Sequence, residues 1–201
     1  MQREARPRPS LAVWAVGAVA TALFVLLNLF SEQARAAGGP GILSFEFVGT
    51  AERAARFMAE WGGDGQRSIE LSLWIDFGFI VIYATWFTML MRIGVKRLTA
   101  AGAAERARFG ERIAWTPAAA AALDAVEGVS LLAIIYGSTG GIAPAAATAA
   151  ASVKFALLAV AIAFIIRAFW TTRRQRQAAV HPHRANASRE KHGGQKKDSA
   201  R

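Results

Sequence analysis

Among the polar side chains that lie within long apolar stretches of this sequence, five are the most informative feature of the chain. They are Asp76, Tyr83, Asp124, Glu127 and Lys154. An ionised side chain near the centre of a bilayer costs at least about 2.5–3.5 kcal/mol unless it is paired or hydrated. Carboxylates and an ammonium at such positions therefore indicate either a buried ion-pair network or an intramembrane site.

The depths of these residues predict that they meet in one polar cluster. At about 1.5 Å per residue, Asp76 lies about 10 Å below the outer boundary, Lys154 about 12 Å and Glu127 about 15 Å. Asp124 is one turn deeper than Glu127 on the same face, close to the depth of Tyr83. One lysine does not neutralise three carboxylates, so either some carboxyls hold protons, or water or a cation enters.

Three functional interpretations follow from this predicted cluster. It binds a proton, a small solute or a lipophilic ligand, or it only fixes helix packing in a structural or assembly protein. An intramembrane enzyme with Asp76 or Glu127 as general acid or base is the least supported, since the apolar stretches contain no His, nucleophile motif or metal-ligand spacing.

The content of cysteine and histidine gives no prediction of a cofactor or a metal. Cysteine is absent, which excludes thiolate metal sites and thiol nucleophiles. The three histidines, His181, His183 and His192, all lie in the C-terminal tail. The His181-Pro182-His183 triplet alone is weak evidence for metal binding.

Four apolar stretches position the five polar residues. They cover residues 11–30, 71–91, 117–137 and 148–170, and each reaches the length of about 20 residues that a helix needs to cross about 30 Å of hydrocarbon. Small residues four apart in the last two stretches favour close helix packing in lipid. We therefore predict an all-α membrane protein, with a four-helix transmembrane bundle over residues 11–170.

The first stretch also has a second interpretation, as a signal peptide. A basic segment, residues 1–10, precedes it, and Ala34-Arg35-Ala36 resembles a signal-peptidase site. The apolar run of about 20 residues is longer than the usual 7–15, which favours a retained helix. Cleavage would leave three spans.

The distribution of charge predicts orientation. The chain has 24 Lys and Arg against 14 Asp and Glu, although 54% of it is hydrophobic. The basic excess lies in residues 1–10, 92–112 and 171–201, whereas residues 31–70 carry four arginines and six acids. Lys and Arg accumulate on the cytoplasmic side, so both termini and the middle loop are expected there. The charge thus reports topology, and no nucleic-acid partner is predicted.

Two further segments flank the predicted spans. Residues 51–61 form an amphipathic pattern that ends at Gly62-Gly63, which predicts a helix in the first extracytoplasmic loop, lying on the membrane or over the bundle. Residues 171–201 are polar and without apolar periodicity, which predicts a disordered cytoplasmic tail. Its Arg173, Arg174 and Arg176 are expected to bind anionic lipid headgroups. Transport by so few helices would require a homo-oligomer.

Four segments of the sequence together resemble a group of uncharacterised bacterial integral membrane proteins with about four transmembrane helices. The segments are SFEFVGTAERAARFMAEWG, LSLWIDFGFIVIY, LDAVEG and SVKFALLA, within about residues 43–160. The resemblance implies a location in the bacterial inner (plasma) membrane and supports treating the five polar residues as one set. It implies no activity.

Overall fold

The protein is a bundle of α-helices. A computed structural model describes residues 9–138 and 141–180, with side chains as far as Arg173. The helices are α1 (Leu11–Ala36), α2 (Ile42–Glu46), α3 (Ala51–Ala100), α4 (Ala104–Arg112), α5 (Thr116–Ile135) and α6 (Ala143–Val180). Within these residues, four helical stretches, containing α1, α3, α5 and α6, are long and apolar enough to cross a membrane. The predicted four-helix membrane bundle is therefore confirmed.

Helix α3 joins the predicted outer-loop helix to the predicted second span. Its N-terminus is capped by Thr50, whose Oγ1 accepts a hydrogen bond of 3.3 Å from the Arg53 N–H. Gly62 interrupts the helix with φ 57° and ψ −164°, a conformation that is essentially open to glycine alone. The helix resumes after this break and continues to Ala100, so the apolar run of residues 71–91 is the middle of a longer helix.

Helix α6 is longer than the sequence analysis predicts. It continues to Val180, past residue 171, where a disordered tail was predicted to begin. This part of the prediction is wrong because residues 171–180 are mostly good helix formers, namely Arg, Gln and Ala, which extend a helix that packing has already nucleated. The predicted tail from residue 181, with its three histidines, and residues 1–8 lie outside the described residues.

Two apolar cores stabilise opposite ends of the bundle. The loop-end core, around the 37–50 segment, contains Ala34, Phe45, Val48, Ala54, Phe57, Trp61, Ile69, Leu73, Leu131, Leu132, Ile134 and Ala147. The α4-end core contains Met91, Leu98, Ala107, Ala161, Phe164 and Ala168. Because α1 ends and α3 begins at the loop end, whereas α3 ends and α5 begins at the α4 end, consecutive long helices run antiparallel.

The segment of residues 37–61, which we call the cap, is fixed over the loop end of the bundle. Trp61, only 2% exposed, donates a hydrogen bond of 2.7 Å from Nε1 to the Pro40 carbonyl and packs edge-on against Phe45. Ser31 of α1 accepts a hydrogen bond of 3.1 Å from the Ile42 N–H. The cap therefore lies on the bundle, and its apolar face is buried in the loop-end core.

The long helices pack unevenly around α3. Helix α1 has an extensive interface with α3 alone, and α5 and α6 form the other large interface. Gly17 allows the close approach of α1 to α3, since a Cβ there would lie 2.7 Å from Trp86 Nε1. A cleft, lined by residues of both helices, lies between α1 and α6.

Candidate functional site

Lys154 of α6 is the centre of a buried polar cluster. Its Nζ atom lies 2.8 Å from Asp124 Oδ1, 2.6 Å from Glu127 Oε2 and 3.5 Å from Glu46 Oε2. The lysine side chain is only 6% exposed. Two carboxylates from α5 and one from α2 thus converge on a single ammonium group.

Tyr83 connects α3 to this cluster. Its hydroxyl donates a hydrogen bond of 2.8 Å to Asp124 Oδ2, while Lys154 binds the other oxygen of the same carboxylate. Asp124 therefore has a partner on each oxygen, and the three helices α3, α5 and α6 are joined through it. The structure places Tyr83, Asp124, Glu127 and Lys154 in one contact network.

Asp76 occupies a different position from the other four predicted residues. It lines the same cavity as they do, about two turns before Tyr83 on α3. Within the part of the chain that the structure describes, no side chain or backbone group forms a hydrogen bond or ion pair with its carboxylate. Asp76 is half-buried and borders the cluster without joining its ion pairs.

Glu46 belongs to the cluster although the sequence analysis did not include it. The residue lies in the loop between the first two spans, but the cap folds α2 down onto the bundle, and Thr148 of α6 donates a hydrogen bond of 3.2 Å to the Glu46 carbonyl. A signal was present in the sequence, because Phe45 and Phe47 flank this acid and predict its burial.

Burial shifts the pKa of the Glu46 carboxyl. Removal from solvent raises the pKa of this carboxyl above its ordinary value, and the nearby Asp124 charge acts in the same direction. The Lys154 ammonium opposes both effects but does not overcome them. Glu46 therefore takes up a proton more readily than an exposed glutamate does.

Glu127 is the most deeply buried acid of the cluster, at 2% exposure. Its Oε2 atom is in ion-pair contact with Lys154, but the direction of that contact does not make a hydrogen bond, and no other described group donates one to this atom. Buried polar atoms normally have a hydrogen-bond partner. The hydrogen-bonding capacity of Glu127 is therefore only partly used.

A cavity of about 580 Å³ adjoins the cluster. Most of its walls are apolar, with aromatic side chains from three helices: Phe24 of α1, Phe79, Trp86 and Phe87 of α3, and Phe155 of α6. The four acids, Tyr83 and Lys154 supply most of its polar lining. The cavity is thus an apolar chamber with one strongly polar region.

The cluster does not have the arrangement of a metal centre. Among residues 9–138 and 141–180, no group of three or more His, Cys, Asp or Glu side chains is placed to hold a metal ion.

In comparisons with known proteins, no family model, no curated protein and no solved structure matches the chain. The interpretation of the site therefore depends on its geometry and chemistry.

Proposed function

We propose that this multi-pass membrane protein binds a lipophilic ligand with a polar group in the cavity. The observation that carries the proposal is the pairing of apolar, aromatic walls with a single polar region in a space of about 580 Å³. Ligand pockets of about 300–1,000 Å³ with mostly apolar walls and a few convergent polar groups are typical of small-molecule sites.

The packing of α1 supports entry of the ligand from the lipid. Helix α1 contacts mainly α3, so the cleft between α1 and α6 lies beside the cavity. Phe24 on one side of this cleft is 58% exposed and Phe155 on the other side is 39% exposed, and both also line the cavity. A lipophilic molecule can therefore reach the polar region laterally, without crossing water.

A purely structural role is the second candidate, and the ion pairs of Lys154 with Asp124 and Glu127 favour it. They connect α5 to α6, as polar contacts do in membrane bundles. This role does not account for Asp76, which faces the cavity without joining the network. The hypothesis of an intramembrane enzyme remains the least supported. Transport of a small solute or a proton would require a homo-oligomer, because one chain has so few membrane-spanning helices.

We also propose that the α4 end faces the cytoplasm of a bacterial cell. The basic excess of residues 92–112 and 171–201 supports this orientation, and the resemblance described above supports the inner membrane. Arg173, with the following Arg174 and Arg176, would then meet anionic lipid headgroups, and we propose no nucleic-acid partner. Reporter fusions test the topology, and an external C-terminus would contradict it.

Retention of α1 is part of the same proposal. Ala34, within the signal-peptidase-like triplet, is fully buried in the loop-end core. Removal of α1 would therefore expose that core as well as one wall of the cavity. Intact mass spectrometry of the purified protein is expected to show that the first 36 residues are present, and a mature chain that starts at Ala37 would refute retention.

Binding is tested with radiolabelled dodecanol, an uncharged amphiphile, and the purified protein in zwitterionic nanodiscs. Two threonines provide matched variants, because each is exposed and bonds the carbonyl four residues earlier: Thr21, which lines the cavity, and Thr85, which does not. Saturable binding is expected to fall several-fold in Thr21→Trp, which fills the cavity, and to persist in Thr85→Trp. Equal binding by both variants, or no saturable binding, would refute the proposal.

A further inference from the structure

The charged groups around the cavity indicate the charge of the ligand, which the apolar walls do not. Four carboxyl groups, those of Glu46, Asp76, Asp124 and Glu127, line the cavity together with one ammonium group, Lys154. An anionic headgroup would approach these acids in a medium of low dielectric constant, where repulsion between like charges is strong. The surroundings therefore disfavour anions.

Lys154 is also not available to an anionic ligand. Three carboxylates already lie within 3.5 Å of its Nζ atom, so acids of the protein itself already surround its one positive charge. A ligand carboxylate or phosphate would have to displace one of these acids and leave it buried without a partner. The single cation of the site is therefore committed to the protein itself.

Among the described residues, Asp76 is the acid of the cavity that has no hydrogen-bond or ion-pair partner. It lines the cavity, and no described group forms a hydrogen bond or ion pair with it. Glu127 adds a buried oxygen, Oε2, that receives no hydrogen bond within the described part of the chain. Asp76 can therefore balance a positive charge on a ligand, and Glu127 Oε2, which is ion-paired with Lys154, can still accept a hydrogen bond.

Aromatic rings that line the same cavity follow Asp76 along α3. Ring centroids of Phe79 and Tyr83 lie 5.2 Å apart, those of Tyr83 and Phe87 6.2 Å apart, and Phe24 of α1 lies 6.4 Å from Phe79. The faces of such rings attract organic cations, and quaternary ammonium groups in particular. The walls of the cavity therefore suit a positively charged group as well as an apolar chain.

We infer that the ligand is a lipophilic cation, of the class of long-chain or aromatic amines, with Asp76 as its counter-ion. This inference rests on the proposed function, since it assigns a charge to the ligand of the same cavity. The ammonium group lies beside Asp76 and the aromatic rings, and the apolar part extends along the cleft between α1 and α6.

The test compares three probes with the same dodecyl chain: dodecyltrimethylammonium, dodecanol and dodecyl sulfate. Binding of each to the full chain is measured at trace concentration in zwitterionic nanodiscs. The expected order of affinity is cation, then alcohol, with the sulfate weakest. Asp76→Asn is expected to lower the affinity for the cation at least about tenfold while it leaves dodecanol binding unchanged, and dodecanol binding also shows that the variant cavity is intact.

Asp64→Asn is the matched control, because Asp64 is an exposed acid on the same helix that does not line the cavity. It should bind the cation as the unmodified protein does. Saturable dodecanol binding with no preference for the cation, or an equal loss of cation binding in both variants, would overturn the inference and leave the proposed function standing. Absence of saturable binding by all three probes would refute both.

Discussion

The interface between α5 and α6 and the cleft between α1 and α6 belong to the same bundle, but they differ in packing. On α6, Ala147, Ala150 and Ala151 are buried to 5% exposure or less, and α5 lies close along this helix. On the cleft side, α1 presents larger side chains such as Phe24 and Leu27. In lipid the size of the residues decides how closely helices approach, since burial of apolar surface gives little driving force.

Because of this difference, we expect one region to control the stability of the protein and the other to control ligand binding. A gap between helices in water would be penalised by exposure of apolar surface, whereas in a membrane lipid or a lipophilic ligand fills it. The α5–α6 interface, with its ion pairs to Lys154, is therefore expected to determine the free energy of unfolding. Substitutions in the cleft are expected to leave the free energy of unfolding nearly unchanged and to alter ligand binding.

The largest expected effect on stability is that of Lys154→Met. The variant leaves the buried carboxylates of Asp124 and Glu127 without their cation, and loss of one partner of a buried ion pair typically costs about 3–5 kcal/mol. Equilibrium unfolding in mixed micelles measures this loss. Arg167→Met, an exposed change on the same helix, should stay within about 0.5 kcal/mol; similar values for the two variants would show that the ion pairs contribute little.

An intermediate effect is expected when a residue is replaced by leucine in the α5–α6 interface, compared with the same replacement in the cleft between α1 and α6. Ala147→Leu places a larger group in the loop-end core and should lower the free energy of unfolding by about 1–3 kcal/mol. Thr21→Leu, on the exposed cavity side of α1, should change it by less than about 0.5 kcal/mol. Unfolding midpoints measured side by side test the contrast, and it would be lost if Thr21→Leu proved equally destabilising.

The smallest effect concerns Glu46, through which the cap reaches the cluster. Because burial raises the pKa of this carboxyl, its protonated form is the one that folding favours. The favourable contribution is complete below the unfolded pKa, near 4.5, and is lost as pH rises through the higher folded value. Stability relative to Glu46→Gln should therefore decline with rising pH, by at most about 1.4 kcal/mol per pH unit.

Unfolding measured at several pH values, with exposed Glu60→Gln as the reference variant, tests this prediction. Both glutamine variants keep the other acids of the cluster, so the difference between the curves isolates the buried carboxyl. A Glu46→Gln curve parallel to that of the unmodified protein would mean that the cap does not hold Glu46 in a buried state.

The sequence predicted the spans and most of the cluster for simple physical reasons. Apolar length is sufficient to locate a membrane helix, and depth along each helix is sufficient to align Tyr83, Asp124, Glu127 and Lys154. It did not predict the ends of α3 and α6, since hydropathy follows the bilayer and helical structure continues into polar flanks. It also missed Glu46, whose burial depends on tertiary contacts of the cap.

The cavity itself has no signal in the sequence. Its volume depends on the distance between α1 and α6, and that distance results from the contacts each helix makes with α3. The difference between Asp76 and the other acids is equally tertiary, because spacing places Asp76 and Tyr83 on one face but does not show which of them reaches Asp124.

Gly62 determines how the first part of α3, residues 51–61, is rotated about the helix axis relative to the rest of α3. A continuous helix turns by about 100° per residue, so the directions of Phe57 and Trp61 would be dictated by those of the residues that follow. The non-helical φ and ψ of Gly62 interrupt that dependence and let the two parts of α3 be oriented separately. The direction of the Trp61 side chain, which binds the Pro40 carbonyl and so helps to hold the part of the cap that contains Glu46, therefore depends on the conformation of a residue without a side chain.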